Sequence, residues 1–568
     1  MTQRGNVLFP AGRGSVAASV RPIGEPPAVS RSSAGEVEES GRPDRNRPGH
    51  LSLFLSLLLL LACAFGRTGP AGATPSGAAA PFPVAAAETL FMTGFSRIQE
   101  LYLQPVNLPR LVSDGLAGLR VLEPVLGIEA TETVIRLLLD GQVRSEFTRP
   151  AAGDPVAWGR LVARVLERGR EISPALAQAS LESLYQAVFD ALMLDLDTYS
   201  RYTGQSRATK ERAQREGYGG IGVSLTPGEP TGNGGLRVAE LDPHGTAIRA
   251  GVRIGEELVS IDGKGVRKLS PRTAEDRLRG LIGSIVMVGV RDSGGQTRLL
   301  TLRREAVIAN SVTLALEETL AIFRIERFNA ATATHLREAV RSARRTLGAK
   351  ASGYVLDLRG NPGGLLDQAA EVADLFINRG RILATEGRHP DSMQTFDASE
   401  GDVLEGLPLV VLLDGRSASA SEVLAAALQD TTRAVLIGAT SFGKGNVQTV
   451  SRLPNNGELF LTWSRLHAPS GYTFHRQGVV PTLCTSRNED PETLLAHLRQ
   501  GRGSLSPAVL GLRLAAPDDE KALAAIRDIC PARQHRPEWD LPLARQILAT
   551  PALYRQALSL PQTTVAQR

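Results

Sequence analysis

Two short turns in the middle of the chain contain the residue types that a nucleophilic hydrolase needs. Ser417, Ser419 and Ser421 alternate with alanine after an apolar stretch, and Lys444 lies between two glycines further along. A serine hydroxyl attacks a carbonyl only when a base removes its proton, and a lysine amine can be that base only when burial keeps it neutral. The two turns therefore predict a serine nucleophile with a lysine base.

Strands and helices are predicted to alternate around these turns. Apolar runs of strand length follow stretches of helical periodicity, an order that is typical of an α/β domain. We expect strands at residues 320–325, 354–358, 407–413 and 434–437, and helices at residues 331–347, 366–376 and 419–429. Loops 359–364 and 414–417 leave two of these strands at their carboxyl ends, where open α/β sheets place their functional sites.

Acyl transfer also needs donors for the oxyanion that forms when the carbonyl is attacked. The N–H of Ala420 is available at the start of a predicted helix. Gly363 and Gly364 lack side chains, so their backbone can approach a substrate closely. The sequence predicts one donor from Ala420 and one from this glycine pair, and it does not decide which glycine donates.

A second module precedes the α/β region, at residues 217–305, where the periodicity changes to two. Gly219, Gly220, Ile221 and Gly222 form a glycine loop that enters a strand, and strands at 236–241 and 257–261 flank a short helix at 246–250. This order resembles a PDZ domain of the circularly permuted bacterial type. The resemblance implies that the glycine loop binds the terminal carboxylate of a peptide and that the neighbouring strand edge pairs with it.

The beginning of the chain predicts export. Residues 51–65 form an apolar segment that is short for a membrane span and typical of a signal peptide. Cleavage after Ala64, a lipid on Cys63 and an uncleaved anchor all place the later domains on the same side of the membrane, and we favour cleavage without lipid. We therefore expect a periplasmic protein, either free or attached to the inner membrane. Residues 67–87 predict a flexible linker, and residues 88–210 predict an all-helical domain.

Composition excludes some functions and leaves one question open. The net charge is +5 with scattered arginines, so we expect no nucleic-acid partner. Cys484 and Cys530 remain as an even pair after the signal region, and they predict either a disulfide or two buried thiols. Residues 486–568 predict a helical extension, and we expect a homodimer. The predicted chemistry needs no metal and no cofactor.

The order of the motifs resembles the carboxyl-terminal processing proteases, also called tail-specific proteases. The resemblance covers roughly residues 90–485. It rests on the order of the helical domain, the PDZ-like module and four motifs, which are DLRGNPGG at 357–364, SASASE at 417–422, FGKGNVQ at 442–448 and APSGYTFHRQGVVPT at 468–482. It implies a multidomain α+β chain with a helical N-terminal domain, a PDZ-like β domain and an α/β protease domain related to Clp peptidase and crotonase.

The same resemblance assigns roles to individual residues. It implies that Ser419 is the nucleophile, Lys444 the general base and Gln448 the side chain that orients the lysine. It also implies an acyl-enzyme intermediate and substrates recognised by apolar, unstructured C-terminal tails. The family's Leu-Asp-Pro-His-Ser segment is replaced here by Leu-Asp-Thr-Tyr-Ser at residues 196–200. We expect this change to affect the contact with the PDZ module and to leave the dyad untouched.

Three other functions fit parts of the sequence. A catalytically inactive PDZ protein would bind peptides without cleaving them, but intact Ser419, Lys444 and Gln448 argue against it. A crotonase-type acyl-CoA enzyme would share the glycine loop, but export and a peptide-binding module argue against it. A Ser/His/Asp triad could use His467 or His475, yet neither histidine lies in the motif that contains the lysine.

Overall fold

The structure is a computed structural model that describes residues 81–228, 235–486, 489–515 and 518–560. The predicted signal segment at 51–65, Cys63 and residues 67–80 of the predicted linker lie outside the described residues. Within the described part of the chain, no helix is both long enough and apolar enough to cross a membrane.

Six helices build the N-terminal domain around an aromatic core. Phe91 stacks on Phe189 at 5.1 Å between ring centroids, and Trp158 is fully buried beside them. The first helix starts at Val84, four residues before the predicted boundary, because residues 84–87 already continue its apolar face. The helices are α1 (Val84–Leu101), α2 (Leu108–Ala117), α3 (Pro155–Ile172), α4 (Pro174–Gln178), α5 (Leu181–Leu194) and α6 (Gln205–Glu216).

The prediction that this domain is all-helical is wrong. An antiparallel three-stranded sheet is formed by β1 (Leu126–Ala130), β2 (Val134–Leu139) and β3 (Gln142–Thr148). Asp140 and Gly141 connect β2 to β3 as a two-residue hairpin loop with φ of 54° and 72°. An Asp-Gly pair between two strands is a strong hairpin signal, and it was present in the sequence. A fourth strand, β4 (Arg201–Thr203), leaves the domain and joins the protease domain.

The PDZ domain is a sheet of order β11-β10-β8-β7-β6 that leaves β6 at an edge beside helix α8. The predicted strands at 236–241 and 257–261 coincide with β7 and β8. The elements are β5 (Tyr218–Gly220), β6 (Val223–Pro227), β7 (Leu236–Leu241), α7 (Thr246–Arg249), β8 (Glu257–Ile261), β9 (Lys264–Gly265), α8 (Pro271–Leu278), β10 (Ile285–Arg291), β11 (Thr297–Arg303) and β12 (Glu305–Val307). The short strands β5 and β12 pair with each other.

The protease domain contains a main sheet of order β13-β14-β15-β18-β19-β22, parallel from β14 onward. The predicted alternation of strands and helices is confirmed within one to two residues at most element ends, because buried strands and amphipathic helices have different periods. The elements are β13 (Val312–Leu316), β14 (Leu320–Ile325), α9 (Thr332–Leu347), β15 (Gly353–Asp357), α10 (Leu366–Asp374), β16 (Gly380–Gly387), β17 (Gln394–Ala398), β18 (Leu409–Leu413), α11 (Ala420–Asp430), β19 (Val435–Gly438), β20 (Asn446–Arg452), β21 (Glu458–His467) and β22 (Leu483–Cys484).

A second sheet of order β17-β16-β21-β20 also contains β4, which pairs with β21. A strand that follows the N-terminal helices is therefore part of the protease domain. Because of this pairing, the chain segment between α5 and β4 lies close to β20 and β21.

The C-terminal region packs against the main sheet. Leu543 and Ile547 are fully buried against Val410 and Val435, and the Cys484–Cys530 disulfide, with 5.7 Å between its Cα atoms, ties the region to β22. The structure thus resolves the open alternative in favour of the disulfide. The helices are α12 (Pro491–Arg499), α13 (Pro507–Leu512), α14 (Glu520–Ile529), α15 (Pro537–Ala549) and α16 (Pro551–Ser559).

Candidate active site

Ser419 occupies the turn between β18 and α11, and it is the residue that caps the start of the helix. Its φ of 58° and ψ of −114° are unusual for a residue with a side chain, and such strain is concentrated at functional sites. Ser419 is fully buried, and among the described residues its Oγ has no hydrogen-bond partner. The backbone of Ser419 is therefore fixed by the turn, and its hydroxyl is left uncommitted.

The neighbouring serines use their hydroxyls for structure. Ser417 Oγ donates to the carbonyl of Leu358 at 2.9 Å, and Ser421 Oγ donates to the carbonyl of Asn361 at 2.9 Å. Both bonds fasten the start of α11 to the glycine loop after β15. Of the three serines in the motif, Ser419 is the one whose hydroxyl remains available for chemistry.

Lys444 lies in the turn between β19 and β20 and is only 3 % exposed. Burial, and to a smaller extent the positive charge of Arg201, lower the pKa of its amine from 10.5 to about 7, although Glu422 and Asp197 oppose the shift. A buried amine with a pKa near neutrality is deprotonated in a large fraction of molecules at pH 7. Lys444 therefore meets the electrostatic requirement for a general base.

One carboxylate connects the two turns. Glu422 Oε2 accepts from the backbone N–H groups of Ser419 at 2.7 Å and Lys444 at 2.8 Å, so the two N–H groups converge on a single oxygen. Its Oε1 accepts from Ser441 Oγ at 2.5 Å and from the N–H of Gly443 at 2.6 Å. Burial raises the pKa of Glu422, but all four contacts are donors, which only an ionised carboxylate can accept together.

Sequence reasoning missed Glu422. It lies three residues after Ser419, and a serine followed at that spacing by glutamate is the signature of a helix capping box. The signal was therefore present in the sequence. What it could not show is that the same carboxylate reaches the lysine turn.

Gln448 is fully buried on β20, opposite Thr462 on β21. Its Nε2 donates to Thr462 Oγ1 at 3.2 Å, and within the described chain its Oε1 has no donor. Thr462 Oγ1 in turn donates to Asp197 Oδ1 at 3.1 Å, across 265 residues of sequence. The amide is thus fixed by its nitrogen and presents an uncommitted acceptor oxygen.

The expectation that the substituted segment at 196–200 leaves the dyad untouched is wrong. The Lys444 Nζ lies 5.2 Å from the centroid of the Tyr199 ring, and Asp197 is one of the charges that act on the lysine. The reason is the pairing of β4 with β21, which brings this segment from the N-terminal domain to the protease site.

The glycine loop after β15 contacts the Ser419 turn directly. A Cβ on Gly363 would lie 2.9 Å from the Ser419 Cβ and 3.0 Å from the Ala420 nitrogen, so only glycine fits at this position. The Gly363 N–H is committed to Asn361 Oδ1 at 2.8 Å. In contrast, the N–H groups of Gly364 and Ala420 have no acceptor among the described residues. The structure therefore favours Gly364 over Gly363 as the second oxyanion donor.

The two histidines of the triad alternative do not contact Ser419. His467 Nδ1 lies 3.2 Å from the carbonyl of Gly471. His475 packs against Gly445 in the lysine turn, and burial lowers its pKa to about 4. An imidazole with so low a pKa is a weak base at pH 7.

In the PDZ domain, the four predicted peptide-binding residues Gly219, Gly220, Ile221 and Gly222 lie at the entry to β6. Gly219 and Gly220 belong to β5, which pairs with β12. On the open edge of β6, the N–H of Leu225 donates to Glu275 Oε1 at 2.8 Å. A side chain of α8 thus occupies the position where a peptide strand would pair.

Among the described residues, no group of three or more histidine, cysteine, aspartate or glutamate side chains is arranged to hold a metal ion.

The fold and site described above define a serine-type peptidase with a PDZ domain. Residues 319–484 match peptidase family S41, and residues 211–291 match the PDZ domain family.

This chain covers most of the length of two curated relatives. A carboxy-terminal-processing protease of Bartonella bacilliformis is 35% identical over 305 residues, which span 53% of this chain and 69% of the relative. A carboxyl-terminal-processing protease of Picosynechococcus is 32% identical over 308 residues, which span 53% of this chain and 72% of the relative. The chain belongs to the carboxyl-terminal processing protease family.

Among solved structures, a photosystem II D1 C-terminal processing protease aligns with 70% of this chain and 92% of its own, at 24% identity and a TM-score of 0.34. The predicted fold class, a multidomain α+β chain with a helical N-terminal region, a PDZ domain and a protease domain, is confirmed by the family matches for the last two domains and by helices α1 to α6 for the first.

Proposed function

We propose that this protein is an endopeptidase that cleaves exported proteins by a Ser419–Lys444 dyad through an acyl-enzyme. The observation that carries the proposal is the pairing of an uncommitted buried serine hydroxyl with a buried lysine whose pKa is about 7, both held by Glu422. Neutral lysine is the form that can accept the serine proton.

The proposed reaction uses these groups in sequence. The Lys444 amine takes the proton of Ser419 Oγ while the oxygen attacks the scissile carbonyl. The N–H groups of Ala420 and Gly364 hold the oxyanion. The Lys444 ammonium then gives its proton to the leaving amine, the C–N bond breaks, and an ester on Ser419 remains. A water molecule, deprotonated by the same amine, attacks that ester; the bond between the acyl carbon and Ser419 Oγ then breaks, the Lys444 ammonium returns its proton to Ser419 Oγ, and the acid is released.

Gln448 is assigned the role of orienting the base. Its Nε2 is anchored on Thr462, and its Oε1 is available to accept a hydrogen bond from the Lys444 amine. An amine that donates to this oxygen directs its lone pair elsewhere, and we place Ser419 in that direction.

We further propose that the PDZ domain binds the apolar C-terminal tails of substrates through the glycine loop 219–222 and the edge of β6. A tail that pairs with Leu225 must displace Glu275 from its N–H, so the groove is closed until a tail arrives. Export is proposed from the apolar segment at 51–65, and a disulfide suits an oxidising compartment. A homodimer remains a prediction.

The dyad is tested by cleavage of an unfolded substrate such as fluorescein-labelled casein. Lys444→Ala should abolish turnover, because no other base is in place, while His475→Ala should retain most of it. The reverse result would reject the dyad in favour of a histidine base. A serine-directed covalent probe should label Ser419, and labelling of Ser417 or Ser421 would overturn the assignment of the nucleophile. An inert wild-type protein that still binds tail peptides would indicate a binding protein.

A further inference from the structure

A tight turn carries a side chain of the N-terminal region into the protease site. Asp197 Oδ1 accepts from the N–H groups of Tyr199 at 2.6 Å and Ser200 at 2.8 Å, and Asp197 Oδ2 accepts from Ser200 Oγ at 2.8 Å. Such an aspartate turn fixes the backbone of the two residues that follow it. Thr462 donates its N–H to Ser200 Oγ at 3.1 Å, which attaches the turn to β21.

The turn and Gln448 share one anchor. Thr462 Oγ1 donates to Asp197 and accepts from Gln448, so a single hydroxyl links the turn to the amide that we assign to orienting the base. A displacement of the turn would therefore reach both Tyr199 and Gln448.

The Tyr199 ring covers the amine of Lys444. The Nζ lies 5.2 Å from the ring centroid, and the His475 ring lies edge-on to Tyr199 at 6.3 Å between centroids. Charged groups that act on Lys444 include Arg201 on β4, Glu422 on α11 and Asp197 in the same turn as Tyr199. The aromatic ring is thus one wall of the lysine site.

A ring in this position has two opposing effects on the amine. It excludes water, which disfavours the ammonium form, and its face attracts a cation, which favours that form. A cation–π contact becomes stronger when the cation is desolvated, but the loss of water from a buried ammonium costs more than such a contact returns. Because Lys444 is only 3 % exposed, we expect water exclusion to dominate.

We propose that Tyr199 is a positioning residue that excludes water from the Lys444 amine and keeps it neutral and directed toward Ser419. The inference rests on the proposed dyad. It also makes the N-terminal region part of the catalytic apparatus, since the ring reaches Lys444 only when the turn at 197–200 is docked on β21.

The test compares Tyr199→Leu with Tyr199→Phe in the full chain. The first measurement is the pH dependence of kcat/KM on fluorescein-labelled casein, whose acid limb reports the free base. Tyr199→Leu should move this limb upward by about one pH unit, which lowers activity at pH 7 about fivefold, while the high-pH plateau is less affected. Tyr199→Phe keeps the ring and should keep the position of the limb.

The second measurement does not need turnover. Competitive acetylation of Lys444 with acetic anhydride across pH, read by mass spectrometry, gives the titration midpoint of the amine in the wild type and in each variant. Tyr199→Leu should raise this midpoint and Tyr199→Phe should not. Thr462→Val, which breaks the link to Asp197, should raise it in the same direction.

The outcomes separate this inference from the proposed function. An ordinary lysine midpoint in the wild type would reject the neutral base and the proposed dyad with it. A low midpoint in the wild type that Tyr199→Leu leaves unchanged, or lowers, would overturn only the role of Tyr199. A loss in Tyr199→Phe equal to that in Tyr199→Leu would also overturn it, because the hydroxyl would then matter instead of the ring. Thermal unfolding of each variant identifies a folding defect.

Discussion

Replacing Lys444 by methionine should stabilise the protein, and the gain should depend on pH. Methionine has nearly the length of lysine without the charge, so it fills the same site without a buried amine. The folded amine has a pKa of about 7 and the unfolded one a value near 10.5. Between these values the unfolded chain binds one more proton than the folded chain, so folding of the wild type is favoured as pH rises.

The magnitude follows from the size of the shift. A difference of one pKa unit corresponds to about 1.4 kcal/mol, so a shift from 10.5 to about 7 corresponds to on the order of 5 kcal/mol. The wild type carries this full cost below pH 7, loses about 1.4 kcal/mol of it per pH unit above pH 7, and carries none above pH 10.5. Lys444→Met removes the cost, so its advantage should be largest at low pH.

Urea unfolding of both proteins, followed by tryptophan fluorescence at three pH values between about 6.5 and 9.5, measures this difference. Trp463 on β21 reports the protease domain. Lys350→Met is the matched control, because Lys350 is exposed and should show no such dependence. If the difference between Lys444→Met and the wild type is the same at all three pH values, burial does not hold the amine neutral and the reasoning for the base fails.

Three further predictions concern Glu422, Glu275 and the Cys484–Cys530 disulfide. Glu422→Gln should lower kcat/KM on labelled casein by at least about a hundredfold, because an amide cannot accept all four donors; activity within about threefold of the wild type would contradict the role of the carboxylate. Glu275→Ala should tighten binding of an apolar tail peptide about tenfold in fluorescence anisotropy, while Glu275→Gln, which keeps an acceptor oxygen, should bind as the wild type does. Equal affinity in all three proteins would show that Glu275 does not close the groove. Cys530→Ser should destabilise the protease domain by about 2–4 kcal/mol in urea, and an unchanged midpoint would mean that the Cys484–Cys530 disulfide adds nothing to stability.

Local patterns were enough to predict most strands and helices of the main protease sheet and the turns that contain Ser419 and Lys444. The strand at 320–325 coincides with β14, and the start of α11 falls one residue after the predicted start at Ser419. Both depend on hydrophobic period and on the conformational demands of a turn, which a sequence displays directly. The choice among the three serines rested on the family resemblance, and the structure adds a physical reason, since the hydroxyls of Ser417 and Ser421 are committed to carbonyls.

The contacts between distant segments could not be predicted in the same way. The choice between Gly363 and Gly364 depends on Asn361 taking the first N–H, which is a property of the folded loop. The contact of Tyr199 with Lys444 depends on β4 pairing with β21, two strands that lie far apart in the sequence. A single sequence contains no signal for either arrangement. The hairpin at Asp140 and Gly141 is different, because its signal was local and was overlooked.

The distribution of contacts around the dyad constrains how the protease could be controlled. Glu422 fastens the turns of Ser419 and Lys444 to the same carboxylate, so a domain movement cannot separate the two turns without breaking a buried network of four hydrogen bonds. The Tyr199 turn is held instead by the hydrogen bonds of Thr462 to Ser200 and Asp197. In sequence, the turn continues through β4 into α6, which leads directly to the PDZ domain. Arg212 on α6 in turn binds Glu458 of β21 at 2.7 Å. The chain from α6 through β4 therefore connects the PDZ domain to the Tyr199 turn that contacts Lys444, whereas the Ser419 and Lys444 turns are joined to each other through Glu422.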